Sequence, residues 1–516
     1  MRKGDQGLLA VHACLGVHSH RFESCPQAGV NAMQLEDRQM KITYAIAAAF
    51  IFIAAIDATG GMATARANDS VPRHVLCIDG DRDGYGVACD NGADADDANP
   101  DVNSINSMSQ LHQWMDKRGY SPEVMYFVCP DGDDATAAAG DINRPFATVT
   151  AASRRLRPGA CLVFREGRWA GKNMLAIVGM RAPRHRPVLV IAMPGERPTL
   201  QSTGSCIEIR NSGNIIIDGL VLTTIDGGGH GVKLSQSGSV RLRNLEIFGL
   251  SRGIFGSQGL GDVTISSCVV RDNGGSHGIY LGSRDKPNRN ILIENCLIYR
   301  NAMHGIQHNG RVMGMTIEGN SIHSNTHGGI SLLQGVCSSV IRNNIIFNNN
   351  KQAIILHCYD DKPNSGIVAY DQNDNLVEDN ILWVGRYDWR KGSDQPASHA
   401  AVQLSDATAR QDRRMNNNIF RRNIITTFEG PAILFGKLTL AAETVFEDNV
   451  IYRSAGPHRL GECRQQWYTI KTLGQITRRF EGNHYSRPAF RDVSVTYSDD
   501  PTRFDFHLPT PRQAGD

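Results

Sequence analysis

The stretch from Asn214 to Leu356 repeats itself, and that constrains the fold more than any other feature. Its segments SVRLRNLEIFGLSRGIF, DVTISSCVVRDNGGSHGIYL, NILIENCLIYRNAMHGIQH, MTIEGNSIHSNTHGGISL and SVIRNNIIFNNNKQAIIL superimpose. Each carries a short alternating apolar run, a small polar residue, a second apolar run, a turn, then Gly-Ile or a variant of it. The central polar positions are Asn244, Cys268, Cys296, Asn320 and Asn344, spaced by subtraction at 24, 28, 24 and 24 residues. A period in the twenties with two-residue alternation inside it predicts a β-solenoid.

One coil per repeat brings equivalent positions to roughly 4.8 Å along an axis. Asn244, Asn320, Asn344, Asn380, Asn423, Asn449 and Asn483 are then expected to pass side-chain hydrogen bonds from coil to coil. Cys268 and Cys296 replace two rungs, as bonded or stacked thiols. Ile254, Ile279, Ile306, Ile330 and Ile354 are expected to form one inward stack.

A chain of 516 residues would ordinarily divide, but a solenoid can be long and single. With 54 Lys and Arg against 52 Asp and Glu, charge gives no sign of a nucleic-acid surface. Residues 1–39 show no foldable pattern and read as untranslated or disordered. From Met40, the run ITYAIAAAFIFIAAI reads as a secretory signal over 40–67, with a small-x-small site at Ala65-Arg66-Ala67 before Asn68. The alternative is an uncleaved anchor, although the run is short for a membrane span. Export to a secreted or periplasmic location leaves no stable membrane span. It also fits the cysteines, with Cys77–Cys89, Cys129–Cys161 and Cys337–Cys358 as candidate pairs.

Residues 68–120 hold an acidic segment and a linker. Asp79, Asp81 and Asp83 alternate before Gly84, and Asp90, Asp94 and Asp96 follow. Clustered carboxylates beside a turn-permitting glycine suit Ca²⁺ in a structural role; the alternative is a solvated acidic linker. The segment resembles thrombospondin type 3 calcium repeats in its DxDxDG core, trailing Cys and Asp-rich run ending in Asn-Pro-Asp. It lacks the bidentate Glu of an EF-hand loop. Ser104 to Arg118 reads as a short helix or linker.

The coil is expected over 121–490, with a capping helix near Phe146 to Leu156 and a C-terminal cap and tail over 491–516. The opening, with Pro-Asp-Gly-Asp-Asp, Arg-Pro-Phe-Ala-Thr, Pro-Gly-Ala and Val-Phe-Arg-Glu-Gly, resembles that of the pectin-lyase-like right-handed parallel β-helix superfamily. The later coils resemble its generic right-handed β-helix repeat members. The resemblance implies an all-β right-handed parallel β-helix with an N-terminal capping helix. The superfamily holds lyases, glycoside hydrolases, epimerases and non-catalytic surface proteins, and fold alone does not choose among them.

In that superfamily substrate lies across the strand face that holds the Gly-Ile step. Lys233, Phe255, Tyr280, Gln307, Ser331 and Ile355 align there as one outward row, with Asn309 and His357 two places further on. Arg284, Arg311, Tyr359, Asp360 and Asp361 flank it. Tyr suits the face of a sugar ring, amides its hydroxyls and cations its carboxylates. His230, His277 and His304 precede a Gly at the turn into this face, with His327 one place earlier, as functional imidazoles or as turn caps. His308 takes an inward slot, as a satisfied core histidine or beside a pocket. GIQHNGR is the most polar point of the row, and the site is centred there.

The leading expectation is a lyase cleaving a uronic-acid glycan, with the chemistry of a base at C5 and a cation at the carboxylate. His304 or Tyr280 would be the base and Arg311 or Lys233 the neutraliser. Gln307, His308, Asn309, His357, Tyr359 and Arg284 would hold the sugar, and Asp360 with Asp361 offer a second calcium site. An epimerase would use similar residues. A hydrolase ranks lower because the row is poor in carboxylates. The other class is a non-catalytic carbohydrate-binding or cell-surface module. Either would be a monomer with a polysaccharide partner, an acidic one for the lyase.

Overall fold

The corners of the coil explain its shape. Asn244, Ser267, Asn295, Asn343, Asp379, Arg422 and Asp448 all have φ between 51° and 56°, with Gly319 at 66° in the same row. One residue in this left-handed region turns the chain sharply, and Asn, Asp and Gly adopt it at least cost. The computed structural model describes residues 78, 85–89, 93–95, 104–105, 107–358, 371–384, 400–406, 415, 417–427, 432–436 and 444–453, and the backbone of short strands beyond and between them. Residues 1–67 lie outside the described residues, as do Asn483, Asp79, Asp81, Asp83, Asp90 and Asp96.

The chain winds as a right-handed parallel β-helix with few helices. Right-handed return is the rule for parallel strands within one sheet. Two long parallel sheets make three walls. Wall A contains His230–Ser235, Arg252–Gly256, Ile330–Leu333 and Ile354–Cys358. Wall B contains Gly238–Arg243, Gly261–Ser266 and Val340–Arg342. The strands Ile279–Glu294 and Ile306–Glu318 run from A into B around a bend, so A and B form one sheet. Wall C is the second sheet, with Glu246–Phe248, Val269–Arg271, Leu297–Tyr299, Ser321–His323 and Ile345–Phe347.

Inside, Val232, Ile254, Ile279, Ile306, Ile330 and Ile354 pair in direct register and are fully buried, as the repeat predicts. Removing this apolar surface from water is the main drive for coiling. The polar rungs lie at the corner between walls B and C. Nδ2 of Asn320 donates to Oδ1 of Asn344, and the pattern passes to Asn380, Asn423 and Asn449, with 2.9 Å at each step. Asn244 is not a rung. It occupies the left-handed position one residue earlier, Leu245 takes the inner slot, and the Asn244 amide donates to Asp218 at 2.7 Å. A second ladder, Asn273–Asn301–Asn325–Asn349, lines the corner between walls C and A at 2.9–3.0 Å.

Cys268 and Cys296 are stacked free thiols, each donating to a strand carbonyl, at 3.3 and 3.2 Å. Two expected disulfides are absent, since Cys129, Cys161, Cys337 and Cys358 are all free. Cys161 pairs with Met125, so Cys129 lies four residues further along, roughly 13 Å in a strand and beyond disulfide reach. Cys358 faces the core, whereas Cys337 is half-buried and donates to the Asp371 carbonyl. Cys89 is disulfide-bonded; Cys77 lies outside the described residues.

Near the start of the coil, Met108–Lys117 is a helix whose N-cap Ser107 accepts from the Gln110 N–H. It lies along the outside of wall B. Leu111, Trp114 and Met115 cluster with the outward Phe127, Val163 and Ile191. The capping helix is the five-residue turn Val149–Ser153, shorter than the apolar spacing predicts, and Val149 and Ala152 enter the main core. Ile78 and Val87 bridge each other and pack on Val269, Leu297 and Tyr299 of wall C. At the far end, Arg503–His507 pairs antiparallel with Gly461–Arg464 and Ser494–Tyr497, which ends the parallel run. No described helix is long and apolar enough to cross a membrane.

Candidate functional site

Wall A presents Glu208, Lys233, Phe255, Tyr280, Gln307, Ser331, Ile355 and Gln403 as one outward row in direct register. The row is closed in its middle and half-buried on either side, where Ile355 and Gln403 lie beyond the closed part. Lys233, Phe255 and Tyr280 are half-buried, whereas Gln307 is 8% exposed and Ser331 1%. The longer accessible stretch, Glu208 to Tyr280, therefore ends at Tyr280, one coil before GIQHNGR. Gly282 leaves room for the tyrosine, because a Cβ there would meet the Tyr280 ring at 3.2 Å.

A second row runs along the corner leading into this face: His230, Arg252, His277 and His304. The two rows interleave as a stack of rings. Centroid separations are 4.9 Å for His230–Phe255, 5.7 Å for Phe255–Tyr280, 5.3 Å for Tyr280–His277 and 5.5 Å for His277–His304. His327 continues it, tilted, 5.4 Å from His304.

The imidazoles also cap the turn. The His304 N–H donates to Nδ1 of His277 at 3.2 Å, and the Gly328 N–H to Nδ1 of His304 at 3.0 Å. Each Nδ1 thus holds a lone pair and each Nε2 the proton. Burial, with the Arg252 charge beside it, pushes His277 down to about 3 and His230 to about 4. Burial holds His304 well below the usual imidazole range. These rings are neutral donors at neutral pH.

Arg252 supplies the fixed charge. Its guanidinium lies 5.4 Å from the Phe255 centroid and 5.9 Å from that of Tyr280, within cation–π range. Its Nε is buried with no hydrogen-bond partner, and no described carboxylate pairs with it. Lys233, in contrast, is 3.5 Å from Glu208. Sequence reading missed Arg252. It fills the slot before Gly-Ile in SRGIF that His fills in HGIYL and HGIQH, and a row read for histidines passes over it.

The other candidates disperse. His308 is fully buried in the inward row between Leu281 and Leu332, and its Nε2 accepts from the Asn288 amide at 3.2 Å. The pairing shifts between Ser283 and Asn288, which turns Asn288 inward to meet it. Asn309 is half-buried on wall A. His357 meets the Ser405 hydroxyl through Nδ1. Arg311 lies past the bend at Gly310 (φ 105°), beside Cys337. Seven residues along a strand separate it from His304, on the order of 20 Å. The Arg284 side chain, Tyr359, Asp360 and Asp361 lie outside the described residues. Of the acidic segment, Asp94 is described, at a cavity of about 90 Å³ shared with Arg118, Arg197 and Glu246. Among the described residues no three His, Cys, Asp or Glu side chains group as metal ligands.

No curated protein sequence matches the chain. Among solved structures, an alginate lyase from Paenibacillus sp. is 17% identical with a TM-score of 0.42, covering 57% of this chain and 97% of its own. A pectate lyase is 15% identical with a TM-score of 0.40, covering 60% and 80%. A lacto-N-biosidase from Eubacterium ramulus is 14% identical with a TM-score of 0.45, covering 73% and 68%. The family described as right handed beta helix region matches residues 198–332, 252–383 and 310–463, together more than half of the sequence, and the chain belongs to that right-handed β-helix family.

Proposed function

We propose that the chain is a secreted polysaccharide lyase that cleaves a uronic-acid-containing glycan by β-elimination on wall A, between Lys233 and Gln307. One observation carries this reading: the Arg252 guanidinium, without a carboxylate partner among the described residues, stacked beside Phe255 and Tyr280 between neutral imidazoles. A uronate carboxylate set on Arg252 has its charge neutralised, which acidifies the proton at C5. The Tyr280 hydroxyl relays that proton, its oxygen accepting it as its own proton passes to the leaving oxygen. The electron pair forms the C4–C5 double bond, the C4–O bond breaks, and the leaving oxygen takes the proton that Tyr280 gives up, while the neutral imidazoles of His277 and His304 only donate hydrogen bonds from Nε2. Phe255 offers an apolar surface for a neighbouring sugar. The acidic segment from Asp79 to Asp96 is proposed to hold structural calcium, and the 40–67 segment to direct export.

A second reading is a non-catalytic carbohydrate-binding module. It is favoured by the lack of any described carboxylate in the open strip except Glu208, which is paired to Lys233. One experiment separates the two. The mature protein is incubated with polygalacturonate, polymannuronate, polyguluronate and polyglucuronate, and absorbance of the unsaturated product is followed with and without chelator. The lyase reading expects product from at least one polymer and a loss of about 10²–10³-fold in kcat/KM for Arg252→Gln, with the circular dichroism unchanged. Binding without product leaves the module. Solvent deuterium entering C5 without unsaturation would mark an epimerase.

A further inference from the structure

We infer that the outer face of wall B carries a second binding site, for an anionic oligosaccharide bearing carboxylates. A concavity of about 500 Å³ opens there, within the size range of small-ligand sites. Its floor is the outward row Ile216, Arg241 and Thr264, which pair in register. One bank is the loop holding Arg184 and His185, with Ser121 beside it. The other is a line of corner residues, Asn214, Ser239, Asp262 and Asn290.

Charge and chemistry define the ligand. Arg184 and Arg241 are exposed, and neither has an ion-pair partner among the described residues. The neighbouring arginine Arg186 is held by Glu123, so it is not available. Asp262 accepts from the Asn290 amide at 2.9 Å, which leaves its charge only partly engaged. The groove therefore pairs two free guanidinium groups with one carboxylate and a set of hydroxyls and amides. Planar guanidinium forks suit carboxylates, and mixed donors and acceptors suit sugar hydroxyls. A nucleic acid fits poorly: no Phe, Tyr or Trp lines the groove for base stacking, and Asp262 would oppose a run of phosphates. Past the bend from wall A, this groove is separate from the Arg252 strip. It rests on the proposed function only for the ligand class, and its role is anchoring, which raises the local concentration of polymer.

The test uses the full mature chain and defined hexamers of galacturonate, mannuronate, guluronate and glucuronate, with carboxyl-reduced hexamers as controls. Titration calorimetry is expected to give two sites per chain for at least one acidic hexamer. The double variant R184Q/R241Q should lose one of them, weakened about tenfold or more, and keep turnover of short substrates. R252Q should lose turnover and keep the groove site. Carboxyl-reduced hexamers should not occupy the groove. Unchanged binding in R184Q/R241Q, equal binding of reduced hexamers, or no binding of any hexamer by the unmodified chain overturns the inference. Loss of groove binding in R184Q/R241Q with no turnover in any form would leave the groove standing and remove only the lyase reading.

Discussion

His308 sits in a row of aliphatic side chains, and its neutrality has a measurable cost in acid. Burial pushes it down to about 3, from an ordinary value of 6.5. His277 and His230 are lowered in the same direction. The unfolded chain takes up these protons first as pH falls below about 6.5. Their contribution to stability is complete above that pH and is lost as pH drops toward 3–4. Denaturant midpoints measured from pH 7 to pH 4 should therefore fall, with each buried histidine adding a slope of about 1.4 kcal/mol per pH unit. His308→Leu should flatten that slope by one proton. It should also fold, because Leu281 and Leu332 flank the slot and Asn288 keeps its bonds to Gly282 and Leu260. A steeper acid slope in that variant would contradict this account.

At the scale of the coil, the ladders and corners set the register. Asn344 receives the Asn320 N–H and donates to Ile317, Arg342 and Asn380. Asn344→Ala strands these buried groups, each costing about 1–3 kcal/mol, and should lower the unfolding midpoint well beyond a surface Asn→Ala control. The bend at Gly310 is equally strict. A Cβ there would fall 1.9 Å from the Ser283 carbonyl oxygen. Gly310→Ala should yield little folded protein, read as loss of soluble material against the tolerated Gly261→Ala, whose added Cβ meets nothing. Much of this order was legible beforehand. The Gly-Ile step fixed which face each residue of wall A would take, so Lys233, Phe255, Tyr280 and Gln307 aligned without structural help. The ladder slipped at Asn244 because Leu245 to Cys268 is 23 residues, and a polar residue nearby was the easier match. The second ladder was written in RDN, YRN, HSN and FNN, but those asparagines read equally well as turn formers.

Over the whole molecule, what escaped the sequence is direction. Spacing suggested Cys129 with Cys161 and Cys337 with Cys358, yet the first pair is offset by four residues along the strands, and in the second Cys358 faces the core while Cys337 does not. Seven described cysteines are free. Thiol titration of the denatured, unreduced protein should count at least seven, and mild reductant should leave the coil's far-ultraviolet dichroism unchanged. Arg252 escaped for a different reason: its value comes from the rings beside it, which only coiling assembles. The strip itself follows from coil spacing. From Glu208 to Tyr280 three steps of roughly 4.8 Å give about 14 Å of open strip, enough to lie along a polymer rather than to enclose a single sugar.

The strands Ile279–Glu294 and Ile306–Glu318 pass unbroken from one wall to the next. They act as an angle bracket, locking two outer faces at a fixed inclination. A stiff polymer lying flat on one face cannot fold over the edge to reach the other. Two occupied faces would thus hold two separate polymer segments, and the protein would sit in a gel network as a rivet between fibres rather than as a bead on one.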